Sequence, residues 1–173
     1  MYSPQSKQAL LLPVKAWFIW LTLALALLVS LLPVGRTPWL PDLMAVVLMF
    51  WCVHQPARVG MSVAFVFGLV IDVHKGAMLG QHALAYALLA FFAVTLGRRI
   101  LWYGPVQQAL HVLPLFAAAH ALLLLTGLVV SGIFPGWEVA WAPAIEALLW
   151  PLITGLLLAP QRRAPDQDEN RPL

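Results

Sequence analysis

The sequence predicts an all-α integral membrane protein with six transmembrane helices. Its composition is the first indication: 62% of the 173 residues are hydrophobic and only 10% are charged, whereas roughly a quarter of the residues of a soluble domain are charged. Apolar runs separated by turn-forming residues are the second indication, and basic residues at the ends of these runs are the third. The net charge of +3 is small, so the basic residues indicate membrane orientation rather than nucleic-acid binding.

The first half of the chain contains three predicted spans. Residues 1–15 form a polar N-terminal segment before the apolar run from Ala16 to Leu32, which is too long for the core of a signal peptide and has no small-residue cleavage site after it. A proline-rich linker from Pro33 to Pro41 leads to the second span, Asp42 to His54. This span is short, so it must include preceding residues, thin the bilayer or be shielded by protein. The third span is predicted from Val59 to Val73.

The second half of the chain contains the other three spans. The fourth is predicted from His82 to Leu96, the fifth from Val106 to Val130 and the sixth from Trp137 to Leu158. Gly97-Arg98-Arg99 follows the fourth span as a polar stop. The membrane domain is therefore expected over 16–160, and the charged, proline-rich tail over 161–173 is expected to be disordered.

Basic residues fall mainly on one side of this six-span arrangement. Seven lie in the segments that share one side, namely Lys7, Lys15, Arg58, Arg98, Arg99, Arg162 and Arg163. Two, Arg36 and Lys75, lie on the other. Because cytoplasmic loops are enriched in Lys and Arg, both termini of this multi-pass protein are predicted to be cytoplasmic.

The centre of the chain contains a polar hairpin with small residues at a helical spacing. Small residues and one acid recur every four positions, at Gly60, Ala64, Gly68, Asp72, Gly76 and Gly80. While the segment is helical, they share one face, which allows another helix to approach closely. Asp72 is either a solvated interfacial acid or an acceptor for donors of the Gly76–Gly80 loop or a neighbouring helix, and the second interpretation is favoured.

Polar residues inside the fifth and sixth spans are the other candidates. Glu146 lies near mid-membrane, where it must be protonated, hydrogen-bonded or water-exposed. Trp150 shares its face, and Pro151 is expected to bend the helix, so the region serves either an interhelical hydrogen bond or a cavity. Gln107 and His111 form a second pair on one helical face, with either a packing role or a ligand or partner role.

The sequence contains no recognisable catalytic or metal-binding motif. Its five histidines lie neither three nor four residues apart, and its single cysteine, Cys52, fits a small packing residue. No nucleophile elbow, phosphate-binding glycine loop or close carboxylate pair is present. The sequence therefore predicts no enzyme, no metal and no cofactor.

Several of these features together resemble the rod shape-determining protein MreD family. The resemblance rests on the Pro-Asp-Leu opening of the second span with Phe50-Trp51 near its end, the spaced run from Gly68 to Gly80, Gln107-Gln108-Ala109-Leu110 and Leu149-Trp150-Pro151. It covers roughly residues 16–163. Glu146 and the charged tail depart from the family pattern.

The resemblance implies a non-enzymatic scaffold of the bacterial cell-elongation machinery in the inner (cytoplasmic) membrane. Such a protein binds an MreC-like bitopic membrane protein and acts indirectly with the MreB filament, the RodA glycosyltransferase and a penicillin-binding transpeptidase in lateral peptidoglycan synthesis. Membrane lipid and a second copy of the chain are further expected partners, and nucleic acid is not. The family fold is also similar to substrate-binding subunits of energy-coupling-factor transporters, so the alternative is a vitamin-type binding subunit of an importer. The short predicted external loops favour the scaffold.

Overall fold

Six α-helices in chain order make up the computed structural model, which describes residues 14–32 and 40–161. They are α1 (Ala16–Ser30), α2 (Leu43–His54), α3 (Met61–Lys75), α4 (Gln81–Ile100), α5 (Pro105–Ser131) and α6 (Trp141–Leu158), and short 3-10 turns, Trp137–Ala140 and Ala159–Gln161, flank α6. No strand occurs within the described ranges, which confirms the all-α prediction. Most of the predicted N-terminal segment, linker and C-terminal tail lies outside the described residues.

The shortest helix, α2, occupies the centre of the fold. It contacts α1, α4 and α6, and every residue from Met44 to Val53 is buried. A helix of 12 residues is about 18 Å long at 1.5 Å per residue, whereas the hydrocarbon core of a bilayer is about 30 Å thick. Protein therefore surrounds α2 on all sides, which is the shielding that its short sequence required.

Length and apolar composition identify three helices that could cross a membrane. They are α4, α5 and the segment Trp137–Gln161 that contains α6, while α1 and α2 are shorter apolar helices. The length and composition of these three helices indicate a membrane protein. That α1, α2 and α3 also cross the membrane, which would give six crossings, stays a prediction.

The helical face of small residues on α3 is shorter than the sequence pattern, because its last two glycines lie in a turn. Ala64, Gly68 and Asp72 are buried on this helix. Gly76 then ends α3 with a φ of 58°, and Gly80 precedes α4 with a φ of 102°; both lie in the left-handed region that glycine adopts without a steric cost. The helical face therefore stops at Asp72, and Gly76 and Gly80 form the turn that folds α4 back onto α3.

Gly68 brings the backbones of α3 and α4 into direct contact. A Cβ atom at this position would lie 2.3 Å from the Cα atom of Ala83 and 2.5 Å from its nitrogen. Only glycine fits there, because the neighbouring atoms belong to the backbone and cannot rotate away. This contact places the end of α3 beside the first residues of α4.

The remaining helix ends differ only slightly from the predicted spans. The fourth span is predicted to stop at Leu96, but α4 continues through the exposed Arg98 and Arg99 to Ile100. Pro114 and Pro151 lie inside α5 and α6, and both helices continue past them.

Candidate structural and partner-binding site

The Asp72 carboxylate caps the start of α4 from the neighbouring helix α3. The N-terminal N–H groups of a helix have no intrahelical partner, and Gly80 at the N-cap position supplies no side chain. Asp72 Oδ2 accepts hydrogen bonds from the amides of Gly80 at 2.9 Å and Ala83 at 3.3 Å, and Oδ1 accepts one from the His82 amide at 2.8 Å. The buried carboxylate thereby satisfies three donors at a helix N-terminus, where negative charge is favoured.

The His82 side chain adds a fourth bond to Asp72. Its Nδ1 atom lies 2.8 Å from Asp72 Oδ1, and its Nε2 atom lies 3.3 Å from Lys75 Nζ. A carboxylate accepts and an ammonium group donates, so Nδ1 carries the proton and Nε2 accepts from Lys75. Lys75 and Asp72 belong to α3, and His82 belongs to α4, so this chain of bonds ties the two helix ends together.

A second carboxylate, Asp42, caps the start of the central helix α2. Its Oδ1 atom accepts from the amides of Met44 at 3.0 Å and Ala45 at 3.2 Å, as expected for an N-cap residue. Its Oδ2 atom accepts from the hydroxyl of the buried Tyr86 on α4. Asp42 therefore joins the start of α2 to the first turns of α4.

The side chain of Glu146, on α6, also meets the start of α2. Its Oε1 atom accepts a hydrogen bond from the Asp42 amide at 2.8 Å and lies 3.4 Å from His120 Nε2 on α5. The Glu146 side chain is fully buried, and its Oε2 atom has no hydrogen-bond partner among the described residues. Of the two interpretations that the sequence left open for Glu146, this geometry is an interhelical hydrogen bond.

These contacts form one polar network that crosses the bundle where α2, α4 and α6 begin. The network consists of Asp42, Asp72, His82, Tyr86, His120 and Glu146. His82 and Tyr86, one turn apart on α4, connect its two halves with ring centroids 6.2 Å apart. The carboxylates of Asp42 and Asp72 and the Oε1 atom of Glu146 accept amides at helix starts. Among the described residues, no group of three or more His, Cys, Asp or Glu side chains is arranged to hold a metal ion.

A separate polar contact joins α5 to α6. Trp150 Nε1 donates to Gln108 Oε1 at 2.9 Å, and Gln108 Nε2 donates to the Tyr103 carbonyl at 2.9 Å. Both side chains are buried. Gln108 thus satisfies the indole of a buried tryptophan and the chain segment that enters α5.

The other predicted pair on α5, Gln107 and His111, lies on the exposed face of the helix. His111 Nδ1 donates to the Gln107 carbonyl at 3.0 Å, and its ring stacks on Tyr103 with centroids 4.3 Å apart. No hydrogen bond joins either side chain to the buried Gln108–Trp150 pair. Both side chains are therefore available at the surface of the bundle.

Four members of the polar network are not among the site candidates that the sequence predicts, namely Asp42, His82, Tyr86 and His120. Asp42 follows Pro41 and precedes an apolar run, a pattern typical of a helix N-cap. Tyr86, His82 and His120 carry no comparable local signal, because each acquires its role from a residue on a different helix.

An apolar pocket of about 260 Å³ lies between α5 and the connection to α6. Its lining consists of Ala117, His120, Ala121, Leu124, Phe134, Gly136, Trp137, Val139, Ala140 and Pro143. Only His120 among these side chains also belongs to the polar network. The pocket lacks the several convergent polar groups that fix the orientation of a small polar ligand.

Fold and site together define a helical membrane protein whose buried polar groups join helices to one another. The sequence matches the model of the family described as "rod shape-determining protein MreD" over residues 12–159. The chain belongs to this family, whose members are structural shape-determining membrane proteins and not enzymes. Membership supports a role in rod shape determination.

A relative from Haemophilus influenzae supports the same assignment. The chain is 28% identical to this protein, named "Rod shape-determining protein MreD", over 135 residues that cover 76% of the chain and 81% of the relative. No solved structure matches the chain significantly. The similarity of the fold to energy-coupling-factor subunits stays a prediction.

Proposed function

We propose that this protein is a non-enzymatic scaffold of the cell-elongation machinery that crosses the inner membrane six times with both termini in the cytoplasm. It binds an MreC-like bitopic protein and thereby supports lateral peptidoglycan synthesis. The family match over residues 12–159 is the observation that carries this proposal. The MreB filament, the RodA glycosyltransferase and a penicillin-binding transpeptidase are then indirect partners.

The internal use of the carboxylates favours a scaffold over the vitamin-binding alternative. Both oxygens of Asp42 and of Asp72 are occupied by donors of the chain itself. A substrate site needs polar groups that face an open cavity, whereas the pocket beside α5 is lined almost entirely by apolar side chains. Interactions of this kind hold helices in fixed positions, which is what a binding platform requires.

The exposed start of α5 is the surface that we assign to the MreC-like partner. Gln107 and His111 are polar and exposed near the start of α5, and the other exposed residues of this helix are apolar as far as Val130. Polar side chains on the membrane-facing surface of a helix favour contact with a partner helix that offers hydrogen-bonding groups. Trp102 is 86% exposed just before the helix and extends the same surface.

Depletion in the rod-shaped host tests the proposed function. Loss of the protein should give rounded, widened cells, because lateral wall synthesis loses its scaffold, and vitamin uptake should stay normal. Microscopy and uptake of labelled vitamins measure the two outcomes. Unchanged rods, in a host without a second copy, contradict the scaffold; lost uptake with a co-purifying ATPase favours the transporter subunit.

A pair of substitutions tests the proposed partner surface. Gln107→Ala combined with His111→Ala should reduce recovery of the MreC-like partner on a tagged copy, without lowering the amount of the protein in the membrane. Thr95→Ala is the matched control, since Thr95 is an exposed polar residue near the end of α4, at the same end of the bundle. Equal partner recovery for all variants would place the partner on another surface.

A further inference from the structure

The protonation of one ring nitrogen of His120 follows from its hydrogen-bond partner. His120 Nδ1 lies 3.1 Å from the carbonyl oxygen of Phe116 in the preceding turn of α5. A carbonyl oxygen only accepts, so Nδ1 carries a hydrogen and donates it. The remaining nitrogen, Nε2, is then a lone-pair acceptor in a neutral imidazole and a donor in an imidazolium.

The neighbouring Glu146 carboxylate makes an unprotonated His120 Nε2 unfavourable. His120 Nε2 lies 3.4 Å from Glu146 Oε1, an oxygen that already accepts the Asp42 amide. A neutral imidazole beside an ionised carboxylate would direct two acceptor atoms at each other. The side chains are 15% and 0% exposed, respectively, so little water can separate them.

We propose that Glu146 and His120 hold one proton between them and form an electrically neutral latch between α5, α6 and the start of α2. The proton lies on His120 Nε2 of an imidazolium–carboxylate pair or on the carboxyl group of a neutral pair. Both forms give the contact a donor and leave the pair without net charge. An unpaired ionised carboxylate in this environment would be strongly destabilising.

One other cation, Lys75, acts on Glu146 only at a distance, because its ammonium group bonds to His82 Nε2. The Asp42 carboxylate is itself an acid, and Tyr86 donates its hydroxyl to that acid. The Asp42 amide provides one hydrogen bond to Glu146 Oε1, while Oε2 has no partner among the described residues. His120 is thus the only side chain of the polar network within reach of Glu146 that can neutralise it.

One member of the latch, His120, also lines the apolar pocket. The Nε2 atom of the same ring lies 3.4 Å from Glu146 Oε1. Loss of the shared proton would leave a buried charge next to a residue that lines the pocket, which would favour separation of α5 from α6 there.

Spectroscopy of the purified protein in detergent tests the proton directly. Nitrogen NMR of ¹⁵N-histidine-labelled protein, with His120→Gln to assign the signal, should show His120 protonated on both nitrogens. Alternatively, the infrared spectrum should contain the C=O band of a neutral carboxylic acid that Glu146→Gln removes. An unprotonated Nε2 together with no such band would overturn the proposal.

A double-mutant cycle tests the same idea energetically. His120→Phe should lower the melting temperature, because it removes the group that shares a proton with Glu146 and leaves this buried acid without a partner. Adding Glu146→Gln should recover at least half of that loss, since it removes the acid and keeps an acceptor for the Asp42 amide. If His120→Phe does not accumulate, the yield of monodisperse protein replaces the melting temperature in the same comparison.

His111→Phe is the matched control for this cycle, since His111 lies on the same helix but on its exposed face. Glu146→Gln should have the same effect in the His111→Phe background as in the wild type. Additive effects of His120→Phe and Glu146→Gln would overturn the latch.

Discussion

At the scale of single residues, Asp72 accepts more hydrogen bonds than any other side chain in the described part of the chain. Asp72→Ala leaves the donors of Gly80, His82 and Ala83 unpaired at a buried helix start. Each orphaned buried donor costs about 1–3 kcal/mol, and partial relaxation reduces the sum, so we expect a loss of about 2–4 kcal/mol in stability. Thermal unfolding of the purified protein measures this loss.

Two further substitutions, Asp72→Asn and Glu138→Ala, serve as controls for Asp72→Ala. Asp72→Asn should be milder than Asp72→Ala, because the amide keeps one oxygen acceptor. Glu138→Ala removes an exposed acid and should leave the melting temperature unchanged, since exposed charges contribute little. Wild-type stability of Asp72→Ala would show that the cap has no structural role.

The buried contact between Trp150 and Gln108 yields a second prediction at this scale. Trp150→Phe removes the indole donor to Gln108 Oε1 and should cost more than the loss of ring area alone. The lost hydrogen bond contributes about 1 kcal/mol, so a cycle with Gln108→Met should show coupling of that size in chemical unfolding. Gln107→Met, one residue away and exposed, should show no coupling to Trp150→Phe.

At the scale of helices, the crossing of α3 and α4 depends on one missing methyl group. Gly68→Ala would place a Cβ atom 2.3 Å from the Ala83 Cα atom, so the two helices must separate and the Asp72 cap must lengthen. We expect a large drop in the amount of folded protein, measured by fluorescence-detected size-exclusion chromatography.

Gly155→Ala, on α6, is the matched control for Gly68→Ala. A Cβ atom there meets no other atom within 4 Å, and alanine favours a helix over glycine by about 1 kcal/mol. Gly155→Ala should therefore be neutral or slightly stabilising. Equal behaviour of the two alanine variants would contradict the close approach at Gly68.

The sequence predicts where the helices lie, but it does not predict most of the polar contacts between them. The positions of the helices follow from apolar runs bounded by proline, glycine and basic residues, which are local signals. The polar network follows from contacts across the chain: Asp42 meets Tyr86 44 positions later and Glu146 104 positions later. No periodicity within one helix contains that information. Gln107 and Gln108 also differ by one position, which turns a side chain by about 100° around the helix and decides which of them is buried.

At the scale of the whole molecule, the distribution of basic residues predicts the orientation. Reporters fused after Leu173 and near Gly104 should give cytoplasmic signals, and a reporter within 132–136 should give an external one, because Lys and Arg concentrate on the cytoplasmic side. Paired alkaline phosphatase and green fluorescent protein fusions measure both sides. A cytoplasmic signal from 132–136 would rule out the six-span arrangement.

The burial of α2 has a consequence for how the protein matures during synthesis. A ribosome releases α2 long before α6, yet the Asp42 amide at the start of α2 is satisfied by Glu146 of α6. Until the last helix is inserted, the nascent chain contains a helix too short to be stable in lipid alone and an incompletely satisfied helix start. A chain that terminates within 132–136 should therefore be a substrate for membrane proteases, and pulse-chase labelling should show its rapid turnover beside a stable full-length chain.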